Sequence, residues 1–267
     1  MSETDTVFVF SSPISGWQLS NQFPIPNRGM NFGDGLFETM VFDGEKIRFF
    51  EYHLERLRLG MRTLGITAPG TDFSKLEDWI KKEYFGQKFR IRWNLFRSGS
   101  GKYTPESNDS FQTLHIQALT SAPPIKCTAS FSEKVTLFPY PWSRCKTLNA
   151  LPYVMAAKER VDRNLDELIL LDYRGKVAEA SSSNIFWRRG KKFFTPALSC
   201  GAIAGVGRRA ILEKLGRFVD EGEFNSNELL RADQVWVTNV TGVSCLEKID
   251  SIEFSTEDWG LIHEIFE

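Results

Sequence analysis

Between Asp166 and Pro196 the chain reads as a run of strands that leaves no room for helices. "DELILLD", "GKVAEAS" and "SNIFWRRGKKFFTP" follow one another, with only the turns Tyr173-Arg174-Gly175 and Arg189-Gly190 between or within them. A parallel connection needs a dozen or more residues, whereas antiparallel neighbours can be joined by two. This stretch is therefore built of hairpins. A doubly wound sheet needs strands alternating with helices, so the expected class is α+β.

The remainder of the chain fits that class. "TVFVFS" reads as a first strand. "FETMVF" and "KIRFF" read as a hairpin, because Asp43-Gly44 supplies the positive φ of a two-residue turn. Leu54, Leu57, Met61 and Leu64 recur at helical spacing, predicting a helix over Glu51 to Gly65, with the glycine as its stop. A second helix is expected from Phe73 to Phe85. "KFRIRWNLF" and "SFQTLHIQAL" are strands flanking the loop "RSGSGKYTPESND". Thr120 to Lys126, "TSAPPIK", carries two adjacent prolines that stiffen it and remove ladder donors. It is read as a linker (residues 120–126) between a smaller domain, 1–119, and a larger one, 127–267. Beyond it come a strand in "SEKVTLFPYP", a helix from Leu151 to Asn164, a helix from Gly207 to Leu215, a strand in "ADQVWVTNV" and a short C-terminal helix.

Composition excludes several functions. With 33 basic and 34 acidic residues the net charge is −1, so nothing draws the chain to nucleic acid or an anionic membrane. No run approaches the roughly 18 apolar residues of a spanning helix. Met1-Ser-Glu-Thr-Asp lacks the basic start of a signal peptide. Cys127, Cys145, Cys200 and Cys245 are scattered, as expected of free thiols in a reducing cytoplasm. His53, His115 and His263 also stand apart, which argues against a metal site and a Ser-His-Asp triad.

Four features carry chemistry. Lys146, in "SRCKTLNALPYV", precedes an apolar helix. It is either a snorkelling surface lysine or, if neutral, an amine that attacks a carbonyl to form a Schiff base. Glu179 sits inside a strand, where it either points to water or holds a cation such as a protonated ring nitrogen. Arg56 lies off the apolar stripe of its helix and should be solvated unless that face meets a cleft. Gly205-Val206-Gly207-Arg208-Arg209-Ala210 matches GxGxxA but lacks a clear βαβ unit around it. It is an ordinary glycine turn, or a helix start whose N–H groups suit a phosphate. An amine, a carboxylate, an arginine and a phosphate nest are together the groups that hold pyridoxal 5'-phosphate.

On "NRGMNFGDGLFET", "EYHLERL", "KTLN", "DELILLDYRGKVAEASSSNIFWRRGKKFFTP" and "GAIAGVGRRAILE" the sequence resembles the class IV aminotransferases. These are the fold type IV pyridoxal-phosphate enzymes, which have a D-amino acid aminotransferase-like fold. The resemblance runs from about Asn27 to Ile249. It implies two α+β lobes, the cofactor between them, and a homodimer. It implies that Lys146 forms the Schiff base with the cofactor and that Glu179 pairs with the pyridine nitrogen. Arg56, the N–H groups of Val206 and Gly207, and Thr241 or a neighbour would hold the phosphate. Phe37 and Arg92 would line the substrate pocket, with Arg92 suited to a substrate carboxylate.

Departures narrow the subtype. Branched-chain enzymes of the family carry a tyrosine five residues after the lysine, where this chain has Leu151. The phosphate loop commonly has a threonine where this chain has Gly207. The Arg-x-His of D-amino acid aminotransferases has no counterpart in "SGSGKYTPESN", whose Lys102-Tyr103 looks more like the lyase loop. "NIFWRRGK" is also nearest the lyase version. The resemblance thus leans to 4-amino-4-deoxychorismate lyase, which releases pyruvate and 4-aminobenzoate for folate synthesis. A branched-chain or D-amino acid aminotransferase is the alternative, and a non-catalytic protein on the same fold a further one.

Overall fold

The structure, a computed structural model, describes residues 6–12, 15–20, 25–257, 262 and 264–266. The chain divides into two compact units, Met1–Thr120 with Cys145–Ala150, and Ser121–Arg144 with Leu151–Glu267.

The first unit contains β1 (Thr6–Ser12), β2 (Gly16–Leu19), α1 (Arg28–Phe32), β3 (Gly35–Phe42), α2 (Phe50–Leu64), α3 (Lys75–Tyr84), β4 (Phe89–Arg97) and β5 (Ser110–Ala118). Its strands form an antiparallel sheet in the order β2-β1-β5-β4-β3. Alternation along β4 turns Ile91, Trp93 and Leu95 into the core, with Leu54 and Leu57 of α2 and Leu76 and Ile80 of α3 in the same cluster. Gly65 ends α2 in the left-handed conformation, at φ 64°, as its position predicts.

The "KIRFF" strand does not form. The Asp43 carboxylate accepts the N–H groups of Glu45 and Lys46, closing an Asx-type loop in place of a two-residue hairpin turn. Only Ile47 bridges back to Phe42, and Phe50 already opens α2.

β3 ends the sheet, yet its outer edge is covered. Phe37 N–H donates to the Lys146 carbonyl at 2.9 Å, Leu148 N–H donates to the Gly35 carbonyl at 2.9 Å, and Leu36 bridges Thr147. Pairing of this kind satisfies an edge that would otherwise expose its backbone. It also explains why Cys145–Ala150 groups with the first unit, although it lies within the sequence range 127–267.

The second unit contains β6 (Ile125–Lys126), β7 (Ala129–Leu137), α4 (Leu151–Asp162), β8 (Glu167–Asp172), β9 (Val177–Ala180), β10 (Asn184–Arg189), β11 (Lys192–Pro196), α5 (Val206–Leu215), β12 (Val219–Gly222), α6 (Ser226–Leu229), β13 (Gln234–Asn239), β14 (Gly242–Leu246), β15 (Lys248–Ile249) and β16 (Ile252–Glu253). Two sheets form, β12-β11-β10-β13-β14-β6 and β16-β15-β7-β8-β9. The hairpins expected between Asp166 and Pro196 are present, with β8–β9 in one sheet and β10–β11 in the other. Ile169, Val177, Ile185, Trp187, Val235, Val237 and Leu246 share one core.

Two details differ from the sequence expectations. The Pro123 and Pro124 carbonyls accept from Ser244 Oγ and Cys245 N–H, and Ile125–Lys126 pairs with β14. The prolines remove donors but leave acceptors, so this segment is docked as a sheet edge. Secondly, a βαβ unit does surround the glycine motif, because β11 and β12 pair in parallel with α5 as the crossover. β12 reads "VDEG", too polar and short to signal a strand. The expected short C-terminal helix lies outside the described residues. Among the described residues no helix is long and apolar enough to cross a membrane.

Candidate active site

In the first unit β3 sorts the candidate residues onto two faces, since successive side chains alternate. Phe37 lies on one face with Arg92 of β4. The Arg92 guanidinium stands 3.9 Å from the Phe37 ring centroid, and its Nε donates to Asn94 Oδ1 at 2.9 Å. Lys146 comes to the same ring from the covered edge, with Nζ 4.5 Å from the centroid. The quadrupole of the ring attracts both cations. The structure therefore brings Lys146, Phe37 and Arg92 together.

Glu38 points from the other face of β3 towards α2, where His53 and Arg56 stand three residues apart on one helix face. Arg56 Nε donates to Glu38 Oε1 at 2.8 Å, Arg56 Nη2 donates to Glu38 Oε2, and His53 Nδ1 lies 2.6 Å from the same oxygen. The Arg56 side chain is only 9% exposed, which corrects the expectation that it is solvated. Helical periodicity sees one helix at a time and cannot see the buried acid on the neighbouring strand.

Burial pushes the Glu38 carboxyl up, but the Arg56 charge and the hydrogen bonds from His53 and Arg56 outweigh it and hold it at about 2. Burial pushes His53 down, against the pull of Glu38. Beside an ionised Glu38 the neutral imidazole carries its proton on Nδ1 and donates it, while its buried Nε2 finds no hydrogen-bond partner among the described residues.

Both shifts make acid destabilising. Glu38 titrates near 4.5 when unfolded and about 2 when folded, so its contribution is complete above pH 4.5 and is lost between pH 4.5 and 2. That contribution is about 3 kcal/mol. His53 has an ordinary value of 6.5 and a lower folded one, so its contribution falls as the pH drops below 6.5. Urea unfolding of the wild type is expected to show stability falling from pH 7 to pH 3. Glu38→Gln should flatten the part below pH 4.5, and an unchanged slope there would refute this role for Glu38.

In the second unit Glu179 lies on β9, paired with Leu170 of β8, and is 3% exposed. Its Oε1 accepts from Tyr153 Oη at 2.5 Å and from Ile203 N–H at 3.1 Å. Its Oε2 is met by Asn184 Nδ2 at 3.4 Å. Asn184 Nδ2 also donates to the Ile203 carbonyl at 3.0 Å, tying the acid to the loop that enters α5. Burial, then the Glu179 charge, push the Tyr153 phenol well above its ordinary value, so it stays a neutral donor.

α5 starts at Val206 with Gly205 as N-cap, and among the described residues no side chain caps it. A Cβ on Gly205 would collide with Asn184 Oδ1, so the close approach of loop and strand requires glycine. A Cβ on Gly207 would come within 2.8 Å of Phe266 Cζ. Thr241, in the β13–β14 turn, donates through both N–H and Oγ1 to Asn239 Oδ1, and Asn239 Nδ2 donates to Ser183 Oγ. Thr238 pairs across from Asn184, and its buried Oγ1 has no hydrogen-bond partner among the described residues. Glu179, the start of α5 and the Thr241 turn thus form one connected cluster.

Glu38, Tyr153 and Asn184 are candidate functional residues that spacing and motif alone do not point to. Glu38 carries the same signal as Glu179, an acid inside an apolar strand. Asn184 lies within the "SNIF" motif. Tyr153 has no signal beyond its polar tip on an otherwise apolar helix start.

A family model described as "Amino-transferase class IV" matches residues 35–246. The chain is 28% identical over 253 residues to an aminodeoxychorismate lyase of Vibrio harveyi, covering 85% of this chain and 90% of that protein. Its fold superposes with a TM-score of 0.84 on a branched-chain aminotransferase of Thermoproteus uzoniensis, at 21% identity, covering 98% and 92% of the two chains. A 4-amino-4-deoxychorismate lyase of Pseudomonas aeruginosa gives a TM-score of 0.83 at 23% identity, covering 98% and 96%.

Proposed function

We propose, from the premise that this chain belongs to the class IV aminotransferase family, that it is a pyridoxal-phosphate enzyme releasing pyruvate and 4-aminobenzoate from 4-amino-4-deoxychorismate. The observation that carries the cofactor assignment is Glu179, a buried strand acid held by three donors beside an uncapped helix start. These residues fit the group. A buried carboxylate suits a protonated ring nitrogen, and the first turn of a ten-residue helix suits a phosphate. The partnerless Thr238 Oγ1 is a further polar atom in that cluster. The lyase relative and the Lys102-Tyr103 loop favour the lyase, and Leu151 sets the chain apart from the branched-chain enzymes.

When bound, pyridoxal phosphate supplies an electron-poor ring that stabilises negative charge on the substrate carbon bearing the amino group. Glu179 would hold the ring nitrogen in its protonated form. Arg56, oriented by Glu38, and the N–H groups of Val206 and Gly207 would bind the phosphate, with Thr241 steadying the adjacent turn. Lys146 Nζ would hold the aldehyde end and, once freed by the substrate amine, would be placed to take the substrate proton and to return it to the departing three-carbon fragment. Arg92, fixed by Phe37 and Asn94, binds a substrate carboxylate.

We also assign a homodimer. Leu151, Val154 and Met155 of α4 are 63%, 59% and 44% exposed, an apolar face that a second copy would cover. A monomeric mass in solution would overturn this.

The activity is tested by offering aminodeoxychorismate and following 4-aminobenzoate. In parallel, L- and D-amino acids are offered with pyruvate or 2-oxoglutarate. Product in the first assay supports the lyase. Product only in the second makes the protein a transaminase.

A further inference from the structure

We propose that Tyr153 is a positioning residue for Glu179, its hydroxyl setting the carboxylate so that the proton shared with the cofactor stays on the ring nitrogen. The inference rests on the reading that Glu179 faces that nitrogen.

α4 turns most of its first two turns outward, with Leu151, Val154 and Met155 exposed. Tyr153 is turned the other way, against the cluster that contains Ala156, Leu168 and Ala178. There its hydroxyl reaches Glu179 Oε1 at 2.5 Å, the shortest of the three contacts described on that carboxylate. An O–H donated to an ionised oxygen at this distance is a charge-assisted hydrogen bond, about twice as strong as a neutral one. A donor of this kind stabilises the carboxylate as an anion and reduces its appetite for a proton. A proton shared between such a carboxylate and a ring nitrogen moves towards the nitrogen. The phenol cannot compete for the role of anion, because burial and the neighbouring charge keep it protonated.

The hydroxyl also sets direction. With Oε1 engaged by Tyr153 and Ile203 N–H, the carboxylate plane is fixed, and Asn184 holds the second oxygen more loosely at 3.4 Å. Without the hydroxyl, Glu179 is a stronger base and a less constrained one.

The test is nitrogen-15 NMR of the protein loaded with ring-labelled pyridoxal phosphate, at neutral pH. The wild type, Tyr153→Phe and Glu179→Gln are compared, with thermal unfolding of each apoprotein as the check on folding. The wild type is expected to show a protonated ring nitrogen and Glu179→Gln an unprotonated one. In Tyr153→Phe the ratio of protonated to unprotonated nitrogen should fall about tenfold or more, the scale of one charged hydrogen bond. Tyr153→Leu, which also removes the hydroxyl and favours a helix more, serves if the phenylalanine variant unfolds. A wild-type resonance in the Tyr153 variants, with Glu179→Gln still shifted, overturns the inference alone. A wild type that takes up no cofactor, or whose resonance ignores Glu179→Gln, overturns the reading beneath it.

Discussion

Replacing Lys146 with alanine is expected to lower turnover about 10³-fold or more while leaving the fold intact. The fold survives because the segment is held by its backbone. Phe37 N–H donates to the Lys146 carbonyl and Leu148 N–H to Gly35, and neither bond involves the side chain. A partly exposed side chain lost from such a segment changes stability by about 0.5 kcal/mol or less. What is lost is chemistry. General acid–base catalysis alone is worth about 10²–10⁴-fold, and the amine proposed to secure the cofactor goes with it. Turnover in the 4-aminobenzoate assay, with thermal unfolding alongside, checks this. Activity within tenfold of the wild type would show that another group does the work.

The second large effect is at Glu179. Glu179→Gln keeps the shape and an oxygen for Tyr153 and Ile203 to donate to, but removes the charge. Turnover is expected to fall about 10²–10³-fold, the usual cost of losing one preorganised electrostatic partner of a reacting system. Cofactor affinity should fall much less, because other residues are proposed to grip the phosphate. The pattern to look for in steady-state and binding measurements is a low kcat with a nearly normal cofactor Kd. A variant with normal kcat and weak cofactor binding would make Glu179 a mere anchor.

Much of this site is legible in the sequence, and the illegible part has identifiable causes. Glu179 announces itself because an acid between Val177-Ala178 and Ala180-Ser181 breaks an apolar strand. Glu38 sends the same signal between Phe37 and Thr39, but its partners lie 15 and 18 residues away in α2, beyond the reach of strand periodicity. His53 and Arg56 at i and i+3 were the readable counterpart. The hairpins between Asp166 and Pro196 follow from turn residues and short spacing. The parallel pairing of β11 with β12 does not, because β12 is four residues, largely polar, at the end of its sheet. The grouping of Cys145–Ala150 with the first unit is likewise invisible, since backbone hydrogen bonds to an edge strand carry no side-chain pattern.

Lys146 is the amine proposed as the covalent anchor of the cofactor. Reducing the pyridoxal-phosphate-loaded protein with borohydride, digesting it and mapping the modified peptide by mass spectrometry tests this most directly. A phosphopyridoxyl group is expected on Lys146 in the wild type and none at that peptide in Lys146→Ala. Modification of a different lysine, or an unmodified protein after full reduction, would contradict it.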